Sequence, residues 1–216
     1  MNNDWSFGII YGSNVYFLPE VIKSIRDQKI PDYEIILVGD SSLITNIEGE
    51  DLLKINFDER IKQSWITKKK NLIAQFSKKT NISLHHDYVK LNPNWFSGFE
   101  SFGYDWDICM TPIRDINGLR FRDWVKWPPE FVDYYSNPDT SEMYVSGSYY
   151  CVKKNYALIN PLDEKLCWGQ GEDVEWSKRL RETWNYKCNP KSSVKLCKPK
   201  QHHPQPETDP NKESII

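Results

Sequence analysis

The amino-acid sequence predicts an α/β domain in which a central, mostly parallel sheet is flanked by helices. Short continuous apolar runs, typical of strands buried on both faces, alternate with amphipathic helical patterns. The chain has 216 residues, of which 39% are hydrophobic and 27% charged, so it fits one sizeable core. Because no internal repeat divides the chain, we expect a single domain over residues 1–198. The polar residues 199–216 predict a partly disordered tail.

The first half of the chain alternates strand and helix patterns in order. Residues 7–11 form an apolar run that ends at a Gly-Ser-Asn turn, and residues 17–25 follow with a helical stripe. Residues 34–38 predict a buried parallel strand, which completes a right-handed strand–helix–strand unit. Residues 67–78 predict a second helix. Residues 82–84 then predict a short strand that leads into two histidines and an aspartate.

The second half of the chain gives weaker signals until its last helix. Residues 108–111 and 143–152 predict strands, and residues 172–184 predict a helix. Residues 112–140 are rich in Pro, Trp, Arg and Asp, which indicates a long irregular segment. Such a segment in a compact domain is usually functional.

Composition and charge exclude several classes of protein. The net charge of −2 does not favour a nucleic-acid binder, and no apolar stretch reaches the roughly 20 residues that span a bilayer. The first residues lack a signal-peptide pattern, and five scattered cysteines without CxxC spacing indicate reduced thiols. We therefore expect a cytoplasmic protein. The nine tryptophans either fill the core or form platforms on which sugars and bases stack.

Polar residues follow three of the predicted strands, where ligands of α/β sheets bind. Tyr11 and Ser13 follow the first strand, and Asp40 follows the second. Asp40 could accept a hydrogen bond from a nucleobase or a ribose, or it could cap a turn. The sequence has no GxGxxG after the first strand and no GxxxxGK[ST], which disfavours a dinucleotide fold and a P-loop.

The third strand ends in His85, His86 and Asp87, which is the more specific signal. Strand alternation predicts that His85 and Asp87 face the same ligand while His86 faces away. Asp87 is then a candidate oxygen ligand for Mn²⁺ or Mg²⁺, with His85 beside it or orienting it. The alternative is a polar turn whose hydrogen bonds are satisfied internally.

Residues 168–173, Trp-Gly-Gln-Gly-Glu-Asp, open the last predicted helix. Acidic residues in a first turn are favoured by the helix dipole, so Glu172 and Asp173 could be capping residues. A Gly-flanked Trp168 followed by two carboxylates also suits a mobile sugar-binding turn with a general base. His202 and His203 follow about thirty residues later in the polar tail.

Together these segments resemble the family 2 glycosyltransferases and their relatives with the GT-A fold. Residues 7–11 and 34–42 look like the nucleotide-binding half of that family, and Lys70-Asn71 resembles its basic–Asn signature. Residues 85–87 occupy the place of its Asp-x-Asp motif. Residues 168–173 closely resemble the Trp-Gly-x-Gly-Glu-Asp segment of galactosyltransferase-type enzymes. Those enzymes place a metal-binding histidine about thirty residues later.

The resemblance implies an inverting transfer of a sugar from a UDP-sugar to a hydroxyl of a glycan, protein or small-molecule acceptor. Asp40 would contact the uracil or ribose, and Asp87 would bind Mn²⁺ or Mg²⁺ between the phosphates. Glu172 would touch the sugar or the acceptor, and Asp173 would be the base. His85 replaces the first aspartate of the family motif, a position that usually contacts the ribose. The remaining implied residues are a metal-binding histidine, His202 or His203, and the donor contacts Tyr11, Ser13, Lys70, Asn71, His85, His86 and Trp168.

Three rival classes stay open at this point. A nucleotidyltransferase can share such a sheet, but it would normally need a Gly-rich basic loop after the first strand. A non-catalytic nucleotide-sugar-binding module is favoured by the altered His85 position, whereas the presence of both Glu172 and Asp173 argues against it. A zinc hydrolase built on the four histidines lacks HExxH-type spacing.

Overall fold

The computed structural model describes residues 3–126, 130–136 and 139–200, and the structural statements below concern these residues. Their largest feature is a seven-stranded sheet with the strand order β12-β6-β11-β4-β1-β2-β3. The strands of this sheet are β1 Trp5–Ile10, β2 Tyr33–Gly39, β3 Leu52–Asn56, β4 Asn81–His86, β6 Ile108–Met110, β11 Tyr149–Lys153 and β12 Tyr186–Cys188.

Six of these strands run in one direction, and β11 runs against them. β1 pairs in parallel with both β2 and β4, while β11 is antiparallel to β4 and to β6. The predicted mostly parallel sheet is therefore confirmed. The reversal of β11 brings its start, at Tyr149, beside His85 near the end of β4. The residues just before β11 consequently lie at the same sheet edge as the carboxyl ends of β1 and β4.

Helices pack on both faces of the sheet. Because successive β1 residues face opposite sides, Gly8 lies under Ile73 of α2 while the Phe7 ring lies 5.4 Å from Trp95 of α3. A methyl group at Gly8 would come within 2.2 Å of Ile73, so this close packing requires glycine. The α-helices of the described residues are α1 Leu18–Arg26, α2 Ile66–Phe76, α3 Trp95–Phe102, α4 Lys154–Ile159 and α5 Glu172–Leu180.

Two small three-stranded sheets complete the described structure. One has the order β10-β8-β9 and the other β5-β13-β7. Their strands are β5 Val89–Leu91, β7 Ile113–Arg114, β8 Val125–Lys126, β9 Glu130–Phe131, β10 Met143–Tyr144 and β13 Val194–Leu196. Residues 112–140 thus carry short strands inside the irregular segment that the sequence predicted.

Two predicted elements differ from the structure. The single strand expected over residues 143–152 is two strands, β10 and β11, because residues 145–148 turn between them. The helix expected over residues 172–184 ends at Leu180. Pairing with other strands decides the boundaries of β10 and β11, and a local sequence pattern does not show this pairing.

Most described tryptophans belong to the core. Trp5, Trp95 and Trp106 form an aromatic cluster with Phe99, and the Trp5 and Trp95 rings lie 4.7 Å apart. Trp168 is the exception, with 64% of its surface exposed. No described helix is long and apolar enough to cross a membrane.

Candidate functional site

Two neighbouring cavities open along the sheet edge formed by the carboxyl ends of β1, β2 and β4. The first, here the β1 cavity, measures about 760 Å³ and is lined by Tyr11, Ser13, Asp40 and Asp87. The second, here the α5 cavity, measures about 600 Å³ and is lined by Arg122, Gly147, Glu172 and Asp173. Five residues line both cavities: His86, Tyr88, Trp168, Lys198 and Lys200.

Tyr11 and Asp40 form one end of the β1 cavity. The Tyr11 ring packs on Gly39, where a methyl group would lie 2.8 Å from the ring, so glycine permits the contact. Burial raises the pKa of the Tyr11 hydroxyl to about 12, so it stays protonated. Asp40 is exposed and accepts hydrogen bonds from the amide and hydroxyl of Ser42, at 2.9 and 2.7 Å. Asp40 therefore caps a turn and also lines the cavity.

Asp87 holds the turn that follows β1. Its carboxylate accepts a hydrogen bond from the Gly12 amide at 2.9 Å, and its own amide donates to the Ile10 carbonyl at 3.1 Å. Burial raises the pKa of the Asp87 carboxyl, and the hydrogen bonds from the Gly12–Asn14 turn oppose that shift. A buried carboxylate at this position would gain free energy from a nearby cation.

His85 and His86 face the opposite sides of the sheet from those that strand alternation predicted for the ligand. His85 lies in the core, where its ring contacts Ser83 at 2.7 Å and packs edge-on against Tyr149. His86 instead lines both cavities beside Tyr88. Burial lowers the pKa of both imidazoles, for His85 to about 4, so both are neutral at neutral pH. The structure thus brings His86, rather than His85, to the cavities together with Asp87.

Gly147 lines the α5 cavity between Lys70 and the two carboxylates. Its carbonyl accepts a hydrogen bond from the Lys70 ammonium at 2.8 Å, and its amide donates to the Asp173 carboxylate at 2.9 Å. A methyl group here would lie 2.9 Å from both Asp173 and Glu172, so glycine lets the two carboxylates approach this closely. The reversed strand β11 places Gly147 there, because the Ser148 carbonyl accepts from the His86 amide at 3.0 Å.

Glu172 and Asp173 open helix α5 beside this glycine. Glu172 is only 5% exposed, and burial raises its carboxyl pKa while the charge of Lys70 opposes the shift. Lys70 is itself buried, which lowers the pKa of its ammonium. Asp173 is partly exposed, so its carboxylate can meet a ligand while the Gly147 amide fixes its orientation.

Trp168 projects from the turn that precedes α5. Gly169 and Gly171 have φ angles of 81° and 70°, which favour glycine and allow the tight turn. The Trp168 amide donates to the Ser64 carbonyl at 3.0 Å, which attaches the turn to the segment before α2. The exposed indole consequently forms a wall shared by both cavities.

Asn71 does not line either cavity. Its side-chain amide is buried, donates to the Leu162 carbonyl at 2.9 Å and accepts from the Leu162 amide at 3.0 Å. The expected contact of Asn71 with the donor is therefore not supported, because both ends of its side-chain amide bind the backbone of Leu162.

Several residues of the cavities were not singled out in the sequence. Tyr88, Ser148 and Arg122 line the α5 cavity, as do two lysines, Lys198 and Lys200, from the segment after β13. The Lys-Pro-Lys spacing is visible in the sequence, but only the pairing of β13 with β5 shows that it passes the site. The predicted domain boundary at residue 198 falls within this segment and stays a prediction.

A divalent metal is supported by only part of the expected ligand set. Asp87 is in place, and His202 and His203 lie outside the described residues. Within the described ranges, no group of three or more His, Cys, Asp or Glu side chains could hold a metal ion. The described donor set around Asp87 does not by itself fit a metal site.

Comparison with known sequences gives one partial match. No model of a known protein family matches the chain. A phosphate acyltransferase of Mycoplasma mobile is 39% identical over 113 residues, which is 51% of this chain and 33% of that protein. The chain thus spans a third of that relative's length.

Comparison with solved structures gives a likeness of fold over most of the chain. GalNAc-T7, crystallised with UDP, GalNAc and Mn²⁺, superposes with a TM-score of 0.66 at 13% identity, covering 89% of this chain and 43% of that one. TarS residues 1–349 of S. aureus, in complex with UDP-GlcNAc, gives a TM-score of 0.60 at 11% identity, covering 92% of this chain and 60% of that one. The expected GT-A fold of this chain is thereby confirmed.

Proposed function

We propose that this chain is a glycosyltransferase that moves a sugar from a nucleotide-diphosphate donor, a UDP-sugar, to an acceptor hydroxyl. The observation that carries the proposal is the pair of adjoining cavities at the carboxyl edge of a GT-A sheet. One cavity ends in Tyr11 and Asp40, and the other contains two carboxylates at the start of α5. The solved structures that share the fold include complexes with UDP and with UDP-GlcNAc, which supports the donor class.

The β1 cavity is the proposed nucleoside site. Asp40 is ionised, because the Ser42 hydrogen bonds lower its carboxyl pKa, and it can accept from a uracil imide or a ribose hydroxyl. Tyr11 offers a protonated hydroxyl beside it, and Ser13 lines the same cavity. The α5 cavity is the proposed sugar and acceptor site, with Trp168 as a stacking wall and Glu172 as a sugar contact.

Asp173 is the proposed base of an inverting displacement. Its carboxylate takes the proton of the acceptor hydroxyl while that oxygen bonds to the anomeric carbon. The bond from the anomeric carbon to the diphosphate oxygen breaks, and the nucleoside diphosphate leaves. The hydrogen bond from the Gly147 amide holds the carboxylate in one orientation, which is what a positioned general base requires.

A divalent cation, Mn²⁺ or Mg²⁺, at Asp87 belongs to this proposal as an expectation. GalNAc-T7 is a GT-A relative crystallised with Mn²⁺ and UDP, which supports it. Asp87, with His202 or His203, would hold the ion, and its chemistry would be to neutralise charge on the departing diphosphate.

A non-catalytic nucleotide-sugar-binding module is the alternative favoured by one observation. His85 replaces the first aspartate of the family motif, and its ring lies in the core rather than in the β1 cavity. Such a module would bind the donor without transferring its sugar.

The experiment that separates these two functions is the substitution Asp173→Asn. Asparagine has the shape of aspartate and its side-chain oxygen can still accept the Gly147 hydrogen bond, so folding and donor affinity should stay near those of the parent. The transfer rate should fall by roughly two to four orders of magnitude, because the amide cannot take the proton. Transfer rate and donor affinity are measured side by side.

Glu175→Gln is the matched control, since Glu175 lies in the same helical turn, pairs with Arg179 and lines neither cavity. Its transfer rate should stay within a few-fold of the parent. Undiminished transfer by Asp173→Asn would refute the catalytic role of Asp173. A parent protein that binds donors but transfers none would establish the binding module instead.

A further inference from the structure

Strand pairing places Lys198 and Lys200 at the junction of the two cavities. β13 pairs with β5 up to Leu196 opposite Val89, and the Cys197 amide then donates to the Tyr88 carbonyl at 2.8 Å. The chain therefore passes Tyr88 as it leaves the small sheet. The ammonium groups of Lys198 and Lys200 lie 4.4 and 4.5 Å from the centre of the Tyr88 ring.

The Tyr88 ring is fixed in place beneath the two lysines. Its hydroxyl lies 3.1 Å from the Ser148 hydroxyl, and its face lies beside His86. The two ammonium groups thus lie over an aromatic ring that is itself held by neighbouring side chains. Lys198 also donates to the Asn14 side-chain carbonyl at 2.6 Å, which directs it toward the turn after β1.

These two cations have no carboxylate within ion-pair distance in the described part of the chain. The described hydrogen-bond partner of Lys198 is the neutral Asn14 amide. Asp87 acts on both only at longer range, and the positive charge of Arg122 acts on Lys200 as well. The two ammonium groups therefore repel each other, and an anion bound between them would relieve that repulsion.

The position of Lys198 and Lys200 indicates which anion they can bind. Both lysines line the β1 cavity, proposed for the nucleoside, and the α5 cavity, proposed for the sugar. A nucleotide-diphospho-sugar that fills both cavities must lay its diphosphate across the junction. Lysine ammonium groups bind phosphate oxygens as compact point charges with three donors each.

We infer that Lys198 and Lys200 bind the diphosphate of the donor directly, so that a nucleoside diphosphate binds this chain after divalent cations have been removed. The inference rests on the proposed function for the identity of the donor. The two ammonium groups would then neutralise part of the diphosphate charge directly, beside any cation held at Asp87.

The test is calorimetric binding of UDP, and separately of inorganic pyrophosphate, to the full chain in the presence of EDTA. The parent should bind both. Lys198→Ala and Lys200→Ala should each weaken binding by about tenfold or more, the usual effect of losing a hydrogen bond between charged groups. Lys198→Arg should retain most of the affinity, because it keeps the charge. Thermal unfolding is recorded for every variant to show that each is folded.

One control separates the two lysines from the rest of their segment. Lys195→Ala removes a lysine of β13 that lines neither cavity, and the affinity of this variant for UDP in EDTA should equal that of the parent.

The inference is overturned if the parent binds neither probe until Mn²⁺ is added, or if the folded alanine variants bind both probes like the parent. Donor turnover that is unchanged in the lysine variants would likewise overturn it while leaving the proposed function standing. Lysine-dependent binding of pyrophosphate and UDP by a parent that turns over no nucleotide-sugar would support the diphosphate site and count against the transferase.

Discussion

At the scale of single residues, the end of β4 shows where a sequence pattern stops being informative. Strand alternation predicted that His85 and Asp87 share a face. β4 ends at His86, and beyond that point the backbone no longer constrains the side chain of Asp87, which turns to the Gly12 amide. The alternating pattern therefore holds inside the strand, where His85 faces the core, and fails one residue beyond it.

Gly147 could not be identified from the sequence for a different reason. Its function in the site depends on two carboxylates that follow it by more than twenty residues and meet it only in the folded chain. A glycine between two serines looks like an ordinary turn. Glu172 and Asp173, in contrast, could be predicted because a glycine-flanked acidic pair at a helix start is a local pattern.

Lys70 gives a pH-dependent prediction. Burial raises the pKa of the Glu172 carboxyl, and the Lys70 charge opposes that shift. Lys70→Met removes the opposing charge, so the pKa of Glu172 should rise further and its ionised form should be lost at a higher pH. Because ionised Glu172 is the form that accepts hydrogen bonds from the sugar, the acid limb of the transfer-rate profile should move to higher pH, while the rate at high pH changes less.

The control for this prediction is Lys68→Met on the same helix. Lys68 pairs with Glu164 at 3.1 Å and lines neither cavity, so its replacement should leave the acid limb in place. An acid limb that is the same in Lys70→Met and in the parent would contradict the electrostatic coupling of Lys70 to Glu172.

At the scale of elements, helix α2 holds the segment that leads to Trp168. Asn71 binds both backbone groups of Leu162, and the Thr67 hydroxyl donates to the Leu166 carbonyl at 2.7 Å. The Trp65 indole, just before the helix, donates to the Glu164 carbonyl at 2.6 Å. The two residues of the basic–Asn pair thus have different contacts: Lys70 binds the carbonyl of Gly147, which lines the α5 cavity, and Asn71 binds the backbone of Leu162.

Asn71→Ala should therefore destabilise the fold. The substitution leaves the amide and the carbonyl of Leu162 without their side-chain partners, at a cost of about 1–3 kcal/mol for a buried unsatisfied group. Urea unfolding of the variant measures this loss directly.

Gln75→Ala is the control on the same helix, because Gln75 is exposed and such a substitution usually changes stability by less than about 0.5 kcal/mol. Equal unfolding free energies for Asn71→Ala and Gln75→Ala would show that the Leu162 hydrogen bonds do not support the segment.

Neither the start nor the direction of strand β11 could be predicted from the sequence. Residues 143–152 predict strand on local grounds, and most of them are strand, but neither the break at residues 145–148 nor the antiparallel direction follows from the pattern. Direction is decided by which strands the segment meets. Here that choice matters for the site, because it brings residues 146–148 to the edge where β1 and β4 end.

At the scale of the whole molecule, the predicted sheet edge explains how distant polar residues meet. Because parallel strands end at one edge, the residues at or just after the ends of β1, β2 and β4 share one cavity: Tyr11, Ser13, Asp40, His86 and Asp87. The buried apolar strands of the first half made this part predictable. The position of Lys198 and Lys200 at the site was not predictable, because it depends on the pairing of β13 with short strands that have no clear sequence pattern.

The measurement that tests the central claim most directly is release of nucleoside diphosphate from a panel of nucleotide-sugars by the full chain, with and without Mn²⁺ and with candidate acceptors. We expect at least one UDP-sugar to be turned over, and we expect turnover to fall by roughly two to four orders of magnitude in Asp173→Asn. A folded protein that neither binds nor turns over any nucleotide-sugar in the panel would contradict the assignment of the two cavities to a glycosyl donor and its acceptor.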